Sequence, residues 1–112
     1  MRQSPGSKLI KFRLPAAKAQ QRIRELAADT NNLAWTDHIQ QRMSQRGIDS
    51  EAVLRILRTG DVEEEPVETE KSGDWKVKVV RKMHSGRVAG VVTIIAQSNR
   101  LVLMTAEWED RR

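Results

Sequence analysis

His38, Arg42 and Arg46 stand four residues apart in the segment from Trp35 to Ile48. On a helix that spacing stacks side chains one turn above another, as a slanted stripe. An imidazole titrates near physiological pH and can move a proton. Guanidiniums bind phosphate oxygens through forked pairs of N–H donors. The stripe can therefore hold a phosphodiester and transfer a proton. It can equally brace a helix, with Arg42 and Arg46 paired to the acidic run Glu63-Glu64-Glu65.

RNA supplies its own nucleophile, the 2′-hydroxyl, so its cleavage needs a base, an acid and cations around the phosphate, and no metal. In that chemistry His38 is the proton-transfer group, and Arg42 and Arg46 the phosphate ligands. Thr105 or Glu107 is a second polar partner if the sheet presents either beside His38. Lys76, Lys78 and Arg81 extend the cationic surface for RNA along a strand; alternatively, the lysines belong to a solvated sheet face. Trp35, Trp75 and Trp108 can stack on bases, but their apolar neighbours favour packing. His84 reads as an exposed turn residue. No Cys is present, and two His do not make a structural zinc site, so no metal or other cofactor is expected. The chain has no glycine-rich phosphate loop, nucleophile elbow or paired-histidine zinc motif.

These side chains need elements to position them. Pro15 and the stripe Ala16, Ala19, Ile23 and Leu26 predict a first helix over 15–29. Asp29 to Asn32 breaks it. Thr36 as N-cap, Asp37 in the first turn and Gly47 at the end define a second helix. Ile39 and Met43 form its apolar side, and Arg46, angularly between Arg42 and Met43, is the stripe member expected to be partly buried. Asp49 caps a third helix, with Ile48 and Val53 as a hydrophobic staple. Val53, Ile56 and Leu57 form its buried face, and Thr59-Gly60 stops it.

The remainder reads as strand: residues 61–70 with Pro66, an edge strand or loop; the alternating run 74–83; a central run 87–96; and 100–108. Short connections imply an antiparallel meander. The expected fold is α+β, helices followed by a four-stranded antiparallel sheet covered on one face. Residues 1–9 read as a flexible tail and 10–112 as one domain.

The net charge is +5 over 112 residues. Residues 1–60 carry 11 basic and 5 acidic groups, residues 61–72 carry 1 and 6, and residues 73–112 carry 8 and 4. This distribution suggests a polyanion-binding surface with the acidic segment turned elsewhere; ordinary charge for solubility is the alternative. No apolar run is long enough to span a membrane and no secretory signal is visible, so a cytoplasmic protein is expected.

The pattern His38-x3-Arg42-Met43-x2-Arg46-Gly47-Ile48 resembles the bacterial family called domain of unknown function 4258. The resemblance continues through Val53-Leu54-Arg55-Ile56-Leu57-Arg58-Thr59-Gly60, Gly73-Asp74-Trp75-Lys76-Val77 and Leu101-Val102-Leu103-Met104-Thr105, covering about residues 20–108. In its helix-then-sheet order that family is similar to RelE-type and BrnT-type toxins, small metal-independent ribonucleases. The resemblance implies a toxin-like ribonuclease or RNA-binding protein, with an acidic antitoxin-like partner. A non-catalytic nucleic-acid- or protein-binding module on the same scaffold is the alternative. The sequence departs from the family pattern at its end: Thr105 is followed by Ala106, Glu107 and Trp108, and the chain has no Tyr.

Overall fold

The computed structural model describes residues 13–110. The expected tail, residues 1–9, lies outside them. Three α-helices form, α1 (Ala16–Ala27), α2 (Asp37–Arg46) and α3 (Ser50–Thr59), with a 3₁₀ turn at Thr30–Asn32 after α1. The strands are β1 (Leu33–Trp35), β2 (Val67–Glu68), β3 (Trp75–Lys82), β4 (Val88–Ile95) and β5 (Leu101–Trp108).

The sheet has five strands in the order β1-β5-β4-β3-β2. This corrects the expected four-stranded antiparallel sheet, because β1 pairs with β5 in parallel. A three-residue strand shows no period of its own, and its partner lies almost 70 residues downstream, from Leu33 to Leu101. The other pairings are antiparallel, as the short turns require. The acidic segment contributes two residues of edge strand; Pro66, which lacks an N–H, immediately precedes them.

The helices begin and end where local chemistry dictates. Thr36 Oγ1 accepts from Ile39 N at 3.1 Å, and Asp49 Oδ1 accepts from Ala52 N at 2.8 Å. Gly47 adopts a left-handed φ of 65° after α2. Gly60 stops α3 for a different reason. Its backbone is extended, and a Cβ there would sit 2.5 Å from Ile56 O and 2.7 Å from Val80 O. The chain thus passes between the end of α3 and β3 where a side chain does not fit.

The helices cover one sheet face: α3 lies against β3 and β4, α2 along β5, and α1 against α3. Ala19, Ile23 and Ala27 of α1 meet Val53, Ile56 and Leu57 of α3 in the core, above Val77, Val79, Val91, Leu101 and Leu103 of the sheet. Each large aliphatic side chain so buried stabilises by about 1.5–3 kcal/mol. Trp35, Trp75 and Trp108 pack against this cluster, in keeping with the packing reading. Two arginines join α1 to α3 reciprocally. Arg58 Nε donates to Ala27 O at 2.9 Å, and Arg24 Nη2 donates to Gly60 O at 2.8 Å. Each guanidinium meets the carbonyl end of the other helix, where a cation is favoured. Part of the basic charge in residues 1–60 is therefore structural.

The β4–β5 ladder carries one irregularity. Val92 pairs with Thr105 but Thr93 with Leu103, so Met104 is an extra residue on β5. Strict alternation would put Leu101, Leu103, Thr105 and Glu107 on one face. The bulge reverses the parity, so Ala106 joins Leu101 and Leu103 in the core, and Thr105 and Glu107 turn to the face without helices. Thr93, fully buried opposite Leu103, donates its hydroxyl to Val102 O at 3.0 Å beside the bulge.

Gly60→Ala should lower stability by about 1–3 kcal/mol through overpacking. Gly47→Ala has open space around the new Cβ and should cost only the left-handed backbone penalty, roughly 1–2 kcal/mol. Denaturant unfolding of both variants measures the order; Gly60→Ala as stable as the parent would contradict the close approach.

Candidate functional site

The stripe sits on α2, and α2 is held to the edge of β5. β1 pairs only with Leu101–Leu103, so the rest of that edge has no strand beside it. Thr36, besides capping α2, donates its hydroxyl to Leu103 O at 2.7 Å. Arg46 Nη1 donates to Ala106 O at 2.8 Å. The Glu109 N to Val88 O bond fixes the ladder phase and points the Ala106 carbonyl away from β4, toward α2. In return, Trp108 Nε1 donates to Arg46 O at 2.8 Å. Arg87 lies over the Trp108 ring, 4.2 Å from its centroid, and pairs with Asp110 at 3.5 Å. Arg46 and Trp108 thus join the last turn of α2 to the end of β5.

The three stripe residues are not equivalent. Arg46 is exposed as a whole residue and Arg42 half-buried, the reverse of the expected order. The cause is that α2 runs beside the strand edge, so the long Arg46 side chain lies across the surface to reach its carbonyl. Arg42 Nη1 donates to Gln45 Oε1 at 2.8 Å, a neutral partner on its own helix. His38 is exposed and forms no hydrogen bond among the described residues. Thr105 and Glu107 are half-buried on the open face of β5, the strand that α2 borders. No hydrogen bond joins His38 to either of them among the described residues.

The bracing alternative, with Arg42 and Arg46 paired to Glu63-Glu64-Glu65, is not what forms. The acidic segment lies toward the β2 end of the sheet, and α2 lies toward the β5 end. Nor is the segment turned away from the strand lysines. Glu64 and Glu65 line a cleft of about 350 Å³ together with Val67, Lys76, Val77, Lys78, Val92 and Glu107.

The expected cationic strip on β3 divides accordingly. Lys76 is exposed and Lys78 half-buried on the open face. Lys78 Nζ bonds Glu109 Oε1 at 2.9 Å, in a pair whose side chains are 26% and 9% exposed. The hydrogen bond to Glu109 raises the Lys78 ammonium above its ordinary 10.5; burial opposes the shift, and the charges of Glu109, Glu64 and Glu107 add to it. Arg81, an odd number of residues away, emerges on the helix-covered face, where Nε donates to Thr59 Oγ1 at 2.7 Å and Nη1 to Lys82 O at 3.0 Å. Lys76, Lys78 and Arg81 therefore do not form one surface. Strand parity in the sequence carries that information; the partners Glu109 and Thr59 are not visible there.

Among the described residues, no three His, Asp or Glu side chains gather as a metal-ligand set. His84 lies in the β3–β4 turn and meets Arg55, with Nη1 2.8 Å from Nε2. Among the described residues no helix is long and apolar enough to cross a membrane.

The family model described as Domain of unknown function (DUF4258) matches residues 35–108, and the chain belongs to that family. The match runs from the last residue of β1 to the end of β5, and so includes the stripe, the bulge and the open face. No curated protein matches the chain, and no solved structure does.

The Lys78–Glu109 pair sets a sign for alkaline stability. A lysine raised on folding contributes stability fully below 10.5 and loses it as pH rises through the folded value. Lys78→Met should therefore be less stable than the parent at neutral pH, and the gap should close as pH passes 10.5 upward. Urea unfolding across that range measures it; a constant gap would contradict the pairing.

Proposed function

We propose that this member of the family acts on RNA as a toxin-like, metal-independent ribonuclease of toxin–antitoxin type, with the His38–Arg42 flank of α2 facing the phosphate. The observation that carries the reading is the state of those two side chains. The imidazole is exposed and unbonded among the described residues, one helical turn from a guanidinium whose partner is a neutral amide. Both are open to an incoming phosphodiester. The helix-then-sheet order supports a RelE-type or BrnT-type likeness at the level of element sequence, and fold alone does not fix function.

The chemistry uses the substrate's own hydroxyl. His38 takes the 2′-hydroxyl proton as the 2′ oxygen bonds to phosphorus. The bond from phosphorus to the 5′ oxygen breaks, and the imidazolium or water returns a proton to the leaving oxygen. The products are a 2′,3′-cyclic phosphate and a 5′-hydroxyl. Arg42 neutralises charge on the non-bridging oxygens. Arg46 holds α2 in place through Ala106, and Thr105 is the polar group that the bulge supplies on the open face. Arg42 rather than Lys76, Lys78 and Arg81 contacts the RNA in this reading, because Lys78 and Arg81 have internal partners and Lys76 shares its cleft with Glu64, Glu65 and Glu107. A cytoplasmic location and an acidic antitoxin-like partner over the arginine flank go with this reading.

A second reading, a non-catalytic RNA- or protein-binding module, draws support from one observation: among the described residues no bond links His38 to a second polar group. The two separate by experiment. Labelled RNA is incubated with pure protein in EDTA, beside His38→Ala. The ribonuclease reading expects a loss of about 10² to 10⁴ in cleavage. The fold should be intact, since an exposed side chain is removed. Undiminished cleavage contradicts a catalytic His38, and binding without cleavage by the parent selects the module.

Binding should also depend on salt, with log affinity falling against log salt by roughly 0.7 per phosphate neutralised on a single strand. Arg42→Gln should flatten that slope, and Lys78→Met should leave it unchanged. The opposite ranking would return the interface to the strand lysines.

A further inference from the structure

Gln45 belongs to the same outward flank as His38 and Arg42. At about 3.6 residues per turn it falls about 20° from His38 and about 60° from Arg42 around α2. It is exposed, and its Oε1 accepts from Arg42 Nη1 at 2.8 Å. Other arginines are held differently. Arg13 and Arg87 meet the carboxylates of Glu65 and Asp110. Arg46 and Arg58 are tied to the carbonyls of Ala106 and Ala27. A carboxylate offsets the charge of a guanidinium, and a backbone carbonyl commits it to the fold. A side-chain amide does neither. It fixes one N–H and leaves the charge and the remaining donors to an incoming anion. The carboxylate that α2 itself carries, Asp37, lies in the first turn, about 140° around the helix from Arg42.

We propose that Gln45 is the positioning residue for Arg42, orienting its guanidinium toward a phosphate oxygen without neutralising it. The inference rests on the RNA reading of the α2 flank and names the residue that prepares its phosphate ligand. An arginine without an anchor samples many rotamers and loses that freedom when it meets a phosphate. The Gln45 bond removes part of the freedom in advance. The neutrality of the amide matters as much as its reach. A glutamate at this position would hold Arg42 more firmly, through a charge-assisted pair, and would compete with the phosphate for the same donors. Gln45 itself touches no reacting atom, so its effect passes through Arg42.

The test compares Gln45→Met and Gln45→Glu in the full chain. Both are good helix formers at an exposed position, so the fold should be kept. In the free ¹⁵N-labelled chain, relaxation at Arg42 Nε should report a more mobile guanidinium in Gln45→Met than in the parent, and a less mobile one in Gln45→Glu. Toward a short unstructured RNA, Gln45→Met should weaken binding about threefold to tenfold, the effect of one side chain ordered only on binding, with the salt slope unchanged. Gln45→Glu should weaken binding and flatten the slope by roughly 0.7, one phosphate contact. In an Arg42→Gln background, Gln45→Met should weaken binding no further, because the two residues act as one unit. Equal Arg42 mobility in the parent and Gln45→Met would overturn the proposal. So would parent-like RNA binding by Gln45→Glu, or a loss with Gln45→Met that persists in the Arg42→Gln background. If the parent binds no RNA, it is the RNA reading of the flank that fails, and the relaxation comparison still decides whether Gln45 orients Arg42.

Discussion

The edge of β5 beyond Leu103 is the constraint on which the site depends. A strand edge without a neighbour presents carbonyls that need donors. Here α2 supplies them, Thr36 to Leu103 and Arg46 to Ala106, and β5 answers through Trp108 to the Arg46 carbonyl. Three hydrogen bonds between a helix and a strand edge fix both the position and the rotation of α2. Rotation decides which stripe residues remain available. With Ile39 buried and Arg46 turned to the strand, His38 and Arg42 are left on the outward flank. One arginine positions the helix, and the other meets the neutral amide of Gln45.

The bulge at Met104 does comparable work for the strand. It returns Ala106 to the core and sends Thr105 and Glu107 to the open face, within one strand whose first half faces the other way. The same shift brings Glu107 to the lysine cleft. Two surfaces of opposite character result, an arginine–histidine flank on α2 and a carboxylate-rimmed groove across β3 and β4. The acidic segment, a small part of the chain, creates that contrast by folding over the lysines.

Much of this was legible from residue type and spacing. Thr36, Gly47 and Asp49 marked the helix boundaries because capping is local chemistry, and Ile48 with Val53 marked the staple. The stripe at 38, 42 and 46 was visible as a period of four. The missing parts are non-local. β1 has three residues and a partner at the far end of the chain, so no window could reveal it. The bulge is a property of the pair of strands rather than of the run Leu101 to Trp108. Arg46 and Arg81 have partners, Ala106 and Thr59, set by tertiary placement. Opposite strand parity is the local signal that separates Arg81 from Lys76 and Lys78. The grouping of Lys78 with Glu64, Glu107 and Glu109 needed the fold.

The central claim is that the outward flank of α2, and not the lysines of β3, faces the phosphates of RNA. Amide shift mapping of the full chain with a short unstructured RNA tests it directly. The account predicts shifts at His38, Arg42 and Gln45, with Lys76 and Lys78 unmoved. Shifts at Lys76 and Lys78, with α2 unchanged, would contradict it.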